Sequence, residues 1–265
     1  MKTSRICPRC SGKKIYSIRR EKLRCARCKY EWHPKRFPLR LSREEWKELI
    51  RWFLHGLSST AISEEIGINR WRIHRALLVL RHAMAFDIPE VFSGKVEVDE
   101  TYVGGQWKNK RKQARKMGTK RGRGTRKTPV FGILCRGGKV WAKVVPDVEA
   151  KTLVPLITKR VKRGSTVFSD TWKSYTGIAA KGYVHRLVEH GKGEYVSRHG
   201  NHINGLEGFW GYLKRKLASK GGIRKERLPL YLAEYVWRYN HRQFQDPKKI
   251  TKLLNLLLRY QLSGG

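Results

Sequence analysis

"GKVEVDETYVGG", residues 94–105, marks the point at which the pattern of the chain changes. Valines alternate with acidic residues through Val96, Glu97, Val98 and Asp99, the period-two signature of a strand with one face in a core. Asp99 is expected to end the alternating strand. Downstream, "PVFGILCRGGKVWAKVVP" (129–146) reads as two strands turning at Arg136-Gly137-Gly138, with Cys135 in the core. "AKTLVPLITKRV" (150–161) predicts a helix, "STVFSD" (165–170) a short buried strand, "TWKSYTGIAAKG" (171–182) another helix and "YVHRLVEH" (183–190) a strand. Two long helices follow, over about 202–219 and 225–242. Strands first, then strands alternating with helices, predict an α/β domain: a mixed sheet flanked by helices over residues 91–265.

The segments before it read differently. Residues 1–38 carry "CPRC" (Cys7, Cys10) and "CARC" (Cys25, Cys28), with 14 residues between the pairs. Two CxxC turns at this spacing predict a four-thiolate zinc site, and so small a ribbon would depend on the metal to fold. The alternative is a set of free structural thiols. His33 could substitute as a ligand, but four cysteines already complete a tetrahedral shell.

Residues 39–90 predict helices. Ser42 with Glu45 three residues on forms a capping box before Trp46, Leu49, Ile50 and Phe53, and Gly56 ends that helix. Ser58 is a second cap, and the Ser63, Gly67 and Ile73 pattern meets the steric needs of a helix-turn-helix. Its second helix would present Arg70, Trp71, Arg72, His74 and Arg75, of which the three arginines are expected to contact DNA. An ordinary helical linker is the alternative.

Charge points to the partner. In 265 residues, 59 Lys and Arg stand against 21 Asp and Glu, a formal net charge of +38. A field of that sign and size draws polyanions, and duplex DNA has the matching charge density. A hydrophobic fraction of 40% supports a packed core and argues against global disorder. The apolar runs "ALLVL" and "LLNLLL" are too short to span a bilayer, and "MKTSRICPRC" lacks the apolar stretch of a signal peptide. The expected setting is the cytoplasm, with no membrane partner and with reduced thiols. The segment 105–128 joins the first two strands of the α/β domain. From Lys108 to Thr128 it holds eleven basic residues and no acid, as a loop that orders on a phosphate backbone would.

Few acids remain, and three stand out: Asp99 at a strand end, Asp170 closing "TVFSD", and Glu207 in "HINGLEGFWGYLKRKL" (202–217). Singly each reads as a cap or a solvated side chain. Together they have the form of a two-metal phosphoryl-transfer site, in which hard oxygen ligands converge from separate elements. On the last helix Leu206, Phe209, Trp210, Leu213 and Leu217 make the buried stripe. Glu207 lies at its edge, Lys214 projects above Glu207 toward a phosphate, and Asn204 and Gly211 line the polar flank. The glycines are expected to admit a DNA backbone.

"VEVDETYVGG", "FSDTWKSY", "HINGLEGFWGYLKRKL" and "VWRYNHR" together resemble the DDE transposases of prokaryotic insertion sequences, closest to the ISXO2-like group. The resemblance covers nearly the whole chain. It implies a ribonuclease-H-like catalytic domain behind a zinc ribbon and a helix-turn-helix. It further implies Asp99, Asp170 and Glu207 as the catalytic carboxylates holding Mg2+ or Mn2+, with Lys214 as the accompanying basic residue. Thirty-six residues separate the last two carboxylates, as in the family. Some relatives carry asparagine at the third position. Asn204 lies three residues before Glu207, where an amide better suits a DNA phosphate than a metal. The implied function is an insertion-sequence transposase that binds terminal inverted repeats, cuts 3′ ends and joins them to target DNA. It would act as a homodimer or higher oligomer on the nucleoid of a prokaryote. The rival readings are a DNA-binding regulator with a non-catalytic nuclease-like domain, and a nuclease that cuts without joining.

Overall fold

Ser42 accepts a hydrogen bond from the Glu45 N–H while the Glu45 carboxylate reaches back to Ser42 N–H, and α1 (Arg43–His55) begins there. Gly56, at φ 89°, closes it. Ser58 caps α2 (Ser59–Ile66) by accepting the Ala61 N–H at 3.1 Å, and Gly67, at φ 67°, ends it. Both stops need a left-handed residue, which glycine supplies without steric cost. Asn69 then accepts the Trp71 N–H at 2.9 Å in the first turn of α3 (Arg70–Ala85). These elements belong to a computed structural model that describes residues 6–19, 22–32, 37–89, 91–104, 112, 127–170, 175, 177–188 and 203–260.

The chain divides into two compact units, residues 1–76 with 257–265, and residues 77–256. In the first, β1 (Ile15–Ser17), β2 (Leu23–Cys25) and β3 (Glu31–Trp32) form a three-stranded antiparallel sheet in that order. The helical part buries Trp46, Leu49, Ile50 and Phe53, the periodic positions expected from the sequence, together with Ile62 and Ile73.

The second unit is a five-stranded mixed sheet. Its strands are β4 (Lys95–Val103), β5 (Thr128–Cys135), β6 (Val140–Val144), β7 (Thr166–Asp170) and β8 (Val184–Val188), in the order β6-β5-β4-β7-β8. The first three are antiparallel, whereas β7 and β8 run parallel to β4. Side-chain alternation gives the sheet two apolar faces. On one, Val96, Val98, Phe131 and Ile133 share a core with Leu153 and Ile157 of α4 (Ala150–Arg160). On the other, Val130, Leu134 and Val140 meet Leu206, Phe209, Trp210 and Leu213 of α5 (Asn204–Ala218), together with Leu232 and Val236 of α6 (Leu228–Asn240). The mixed α/β architecture is therefore the one expected.

Three details differ from the sequence reading. β4 does not end at Asp99 but continues to Val103, because Thr101–Val103 stay paired with β5. The described part of 171–182 holds 3-10 turns, among them Ala179–Lys181, since Gly177 and Gly182 take φ of 90° and 88° and break a helix on either side. A further helix, α7 (Asp246–Tyr260), follows α6 where no element was expected. Among the described residues no helix is long and apolar enough to cross a membrane. Of the basic segment 105–128, only Lys112, Lys127 and Thr128 lie within the described residues.

Asn240, from the "VWRYNHR" stretch, explains how α6 is held to the sheet. Its amide donates to Val140 O at 2.8 Å and accepts the Val140 N–H at 2.7 Å, so it satisfies edge strand β6 as another strand would.

Candidate active site

The site begins with a fork in the sheet. β4 pairs with β7 through Lys95, Val96 and Glu97, opposite Thr166, Val167 and Phe168, whereas its pairing with β5 continues to Val103. Carrying the parallel register two residues on sets Asp99 beside Asp170, the last residue of β7. By alternation both carboxylates belong to the face on which α5 packs. Two strands about 4.8 Å apart thus bring two acids to one edge, where the backbone of β7 has run out.

Helix α5 reaches this edge through Trp210. Its indole N–H donates to Asp99 Oδ2 at 3.0 Å. The ring lies over Gly132, the residue directly across from Asp99 on β5, and a Cβ there would stand 2.6 Å from the indole carbons. Only glycine leaves that room. Leu206, Phe209, Trp210, Leu213 and Leu217 are buried, as the predicted stripe requires, while Asn204, Glu207 and Lys214 are exposed. Glu207 lies three residues before Trp210 and Lys214 four after it, so they flank the indole that touches Asp99.

The electrostatics mark the same spot. The Asp99 carboxyl is pushed up to about 7, first by burial and then by the neighbouring Glu100, with Asp170 adding to it against the favourable Trp210 N–H. Hard, crowded carboxylate oxygens suit divalent cations of the Mg2+ or Mn2+ type. Partial desolvation lowers the Lys214 ammonium, Lys127 adds to this, and Asp99 pulls the other way.

Glu97 and Glu100 are both engaged elsewhere. Tyr175 donates to Glu100 Oε2 at 2.6 Å, and burial first, then the adjacent carboxylates, hold that phenol well above its usual range. Glu97 is fully buried and accepts the Leu206 N–H at 2.9 Å and Arg136 Nε at 3.0 Å. The roles of Trp210, Gly132 and Glu97 were not legible in the sequence. Their signal lay in a register: an E-x-D alternation on one strand facing a helix whose first turn holds glycine. Gly205, expected to admit DNA, instead admits Glu97, whose Oε2 would stand 2.9 Å from an added Cβ.

Among the described residues, the one group of three or more ligand-type side chains whose donor atoms all lie within 4.8 Å of one another is Cys7, Cys10, Cys25 and Cys28. Asp99, Asp170 and Glu207 do not close to that spacing. The thiols fit a tetrahedral ion. Sγ–Sγ separations of 3.5 Å for Cys7–Cys28 and 3.6 Å for Cys10–Cys25 approach the roughly 3.8 Å edge set by Zn–S bonds of about 2.3 Å. The two turns are built alike. Ser11 N donates to Cys7 O at 2.9 Å and Lys29 N to Cys25 O at 3.0 Å, and Ser11 and Lys29 take φ of 55° and 59°. The Cys25 thiol is pulled down to about 6, first by the Cys28 backbone N–H.

Of the arginines expected on DNA, Arg70 and Arg75 are exposed on α3. Arg72 is also exposed, yet its Nη2 donates to Leu39 O at 2.9 Å and Arg40 O at 3.1 Å, bracing two residues at positive φ. His33 and His202 lie outside the described residues.

Residues 91–240 match the ISXO2-like transposase domain. An uncharacterized transposase-like protein of Haemophilus influenzae is 38% identical over 116 residues, 44% of this chain and 93% of that one. An uncharacterized protein in transposable element ISH50 of Halobacterium salinarum is 30% identical over 220 residues, 76% of this chain and 72% of that one. Among solved structures, a pre-cleavage Mos1 transpososome aligns with 89% of this chain and 82% of its own at 11% identity, with a TM-score of 0.30 too low to bear on the assignment. The domain match covers more than half of the sequence, including β4, β7, α5 and the carboxylates they carry, and the chain belongs to the ISXO2-like transposases.

Proposed function

We propose that this transposase cuts the 3′ ends of its insertion sequence and joins them to target DNA at one site built from Asp99, Asp170 and Glu207. What supports this reading is the place of Asp99 and Asp170 just past the last β4–β7 pair, Glu97 opposite Phe168, where burial first and then neighbouring carboxylates raise Asp99 to about 7. Bound there, a pair of Mg2+ or Mn2+ ions would supply Lewis acidity to the scissile phosphate and lower the pKa of the attacking hydroxyl.

The chain's own residues supply position and charge. Asp99, oriented by the Trp210 indole, and Asp170 present oxygens from the sheet edge. Glu207 presents a third carboxylate from α5, one helical turn before Trp210. A full negative charge with two oxygens suits a dication better than the neutral amide of Asn204, which we place on a DNA phosphate. Lys214 is placed on the phosphate next to the cut. Both chemical steps are in-line displacements at phosphorus, so one constellation serves cutting and joining.

Element ends are held, in this reading, by residues 1–90. Residues 1–38 form a zinc ribbon on Cys7, Cys10, Cys25 and Cys28, and residues 39–90 a helix-turn-helix whose Arg70, Arg72 and Arg75 approach duplex DNA. Residues 91–265 are the ribonuclease-H-like catalytic domain, and the basic segment 105–128 follows the phosphate backbone. Joining two ends in one event calls for a dimer or larger assembly on DNA in a prokaryotic nucleoid. The test uses a duplex carrying the inverted repeat that flanks the gene. Asp170→Asn should bind this duplex as the unaltered protein does while losing 3′-end cutting in Mg2+; cutting at an undiminished rate would refute the assignment.

A further inference from the structure

Helix α5 has no cap of its own. Ile203 precedes it with a buried apolar side chain that cannot cap the first turn, although its carbonyl accepts the Leu206 N–H at 3.1 Å and the Glu207 N–H at 3.0 Å. Helices leave their first N–H groups without intrahelical partners, and a buried start needs an acceptor from elsewhere. The side-chain acceptor is Glu97 on β4, which shares the Leu206 N–H with the Ile203 carbonyl. Its Oε2 takes the Leu206 N–H at 2.9 Å, from a residue separated by more than a hundred positions in sequence. The side chain is 1% exposed, and Gly205 gives it room, since a Cβ there would stand 2.9 Å from Oε2 and 3.1 Å from Leu134.

The carboxylate is itself fixed from the other side. Arg136, in the turn between β5 and β6, donates Nε to Glu97 Oε1 at 3.0 Å, and its guanidinium carbon lies 3.7 Å from the Phe168 ring centroid. Phe168 is two residues before Asp170, and Glu97 two before Asp99. One buried anion therefore ties together β4, β7 by way of Arg136, and the first turn of α5. A negative group at a helix start also complements the positive end of its dipole.

We propose that Glu97 is a positioning residue: a cap supplied from the sheet that sets the axial place of α5, and with it the approach of Glu207 and Trp210 to Asp99. It does not touch DNA or the reacting atoms. Its effect is transmitted through the Leu206 N–H, so what matters is an acceptor at full glutamate reach rather than charge alone. This inference rests on the three-carboxylate reading of the site.

The test is Mn2+ binding to the full-length, zinc-loaded protein, read by electron paramagnetic resonance, beside cutting at saturating DNA. Glu97→Ala should weaken Mn2+ affinity about tenfold and slow cutting, with end-DNA affinity unchanged, as removal of groups that orient ligands does. Glu97→Gln, which keeps an acceptor at the same reach, should recover most of this. Glu97→Asp keeps the charge beside Arg136 but is one methylene short, and should resemble Glu97→Ala. If the alanine variant does not fold, the comparison of glutamine with aspartate decides. Glu234→Gln, at another buried carboxylate bonded to Arg81 and Arg238, serves as the control for general destabilisation and should leave Mn2+ affinity intact. Unchanged Mn2+ affinity in Glu97→Ala, or aspartate binding as well as glutamine, overturns the proposal. If Asp99→Asn also binds Mn2+ as the unaltered protein does, the site reading falls and this inference falls with it.

Discussion

Replacing Asp99 by asparagine should make the metal-free protein more stable at pH 8. The Asp99 carboxyl titrates at about 7 in the fold against 3.8 for an unhindered aspartate. That gap corresponds to on the order of 4 kcal/mol once the group is ionised in both states. The sign follows from proton counts. Below the unfolded value both states hold the proton and the group contributes no penalty. Between the two values the folded state binds more protons than the unfolded one, so stability falls as pH rises, and by pH 8 the loss is nearly complete. The amide of Asp99→Asn keeps an oxygen for the Trp210 indole and never ionises. The variant should therefore exceed the unaltered protein by roughly 2–4 kcal/mol at pH 8 and by less than half of that at pH 5. Urea denaturation at the two pH values, in zinc-retaining buffer without other divalent ions, measures this. Adding Mg2+ at pH 8 should restore the unaltered protein and leave the variant unmoved. A variant less stable at both pH values, with no response to Mg2+ in either protein, would refute the reasoning.

Cys25→Ser should release zinc and unfold the ribbon while residues 77–256 keep their fold, read by metal analysis and by proteolysis; full zinc retention would contradict the four-thiolate site. Gly132→Ala puts a Cβ 2.6 Å from the Trp210 ring, so the indole must shift. Overpacking of this kind costs about 1–3 kcal/mol, and the Asp99 contact should be lost with it, seen as weaker Mn2+ binding. Glu207→Gln should lose most Mg2+-dependent cutting and Asn204→Ala much less, both measured at one metal concentration; the reverse order would place the amide in the ligand shell. Removing the basic segment 108–126 should flatten the salt dependence of DNA binding by about 0.9 in log–log slope per lost phosphate contact, and an unchanged slope would exclude it as a backbone clamp.

The sequence reading reached the mixed sheet because its cues were local. Alternation along 94–105, the Gly-Gly turn after Arg136 and the stripe from Leu206 to Leu217 each fit within a short window. The capping box at Ser42 and Glu45 was legible for the same reason. What stayed hidden depends on pairings between distant segments. The fork that sets Asp99 beside Asp170 follows from where β7 stops, and the contact of Trp210 with Asp99 needs the register opposite Gly132. Glu97 read as one more acid beside a candidate ligand, because the Leu206 N–H that gives it a role is distant in the chain. Arg72 has a contact of the same hidden kind. Its helical position suggested DNA, while the carbonyls of Leu39 and Arg40 that it braces come from a turn at positive φ that composition does not announce.

In the proposed mechanism Asp99, Asp170 and Glu207 together catalyse joining as well as cutting. The most direct measurement supplies the protein with an element end already cut to a free 3′-hydroxyl, a supercoiled target plasmid and Mg2+, and scores covalent transfer of the labelled end. Joined product is expected with the unaltered protein and none with Asp99→Asn, Asp170→Asn or Glu207→Gln, each of which should still bind the end. Joined product from any of these three variants, or none from the unaltered protein while it still cuts, would contradict this mechanism.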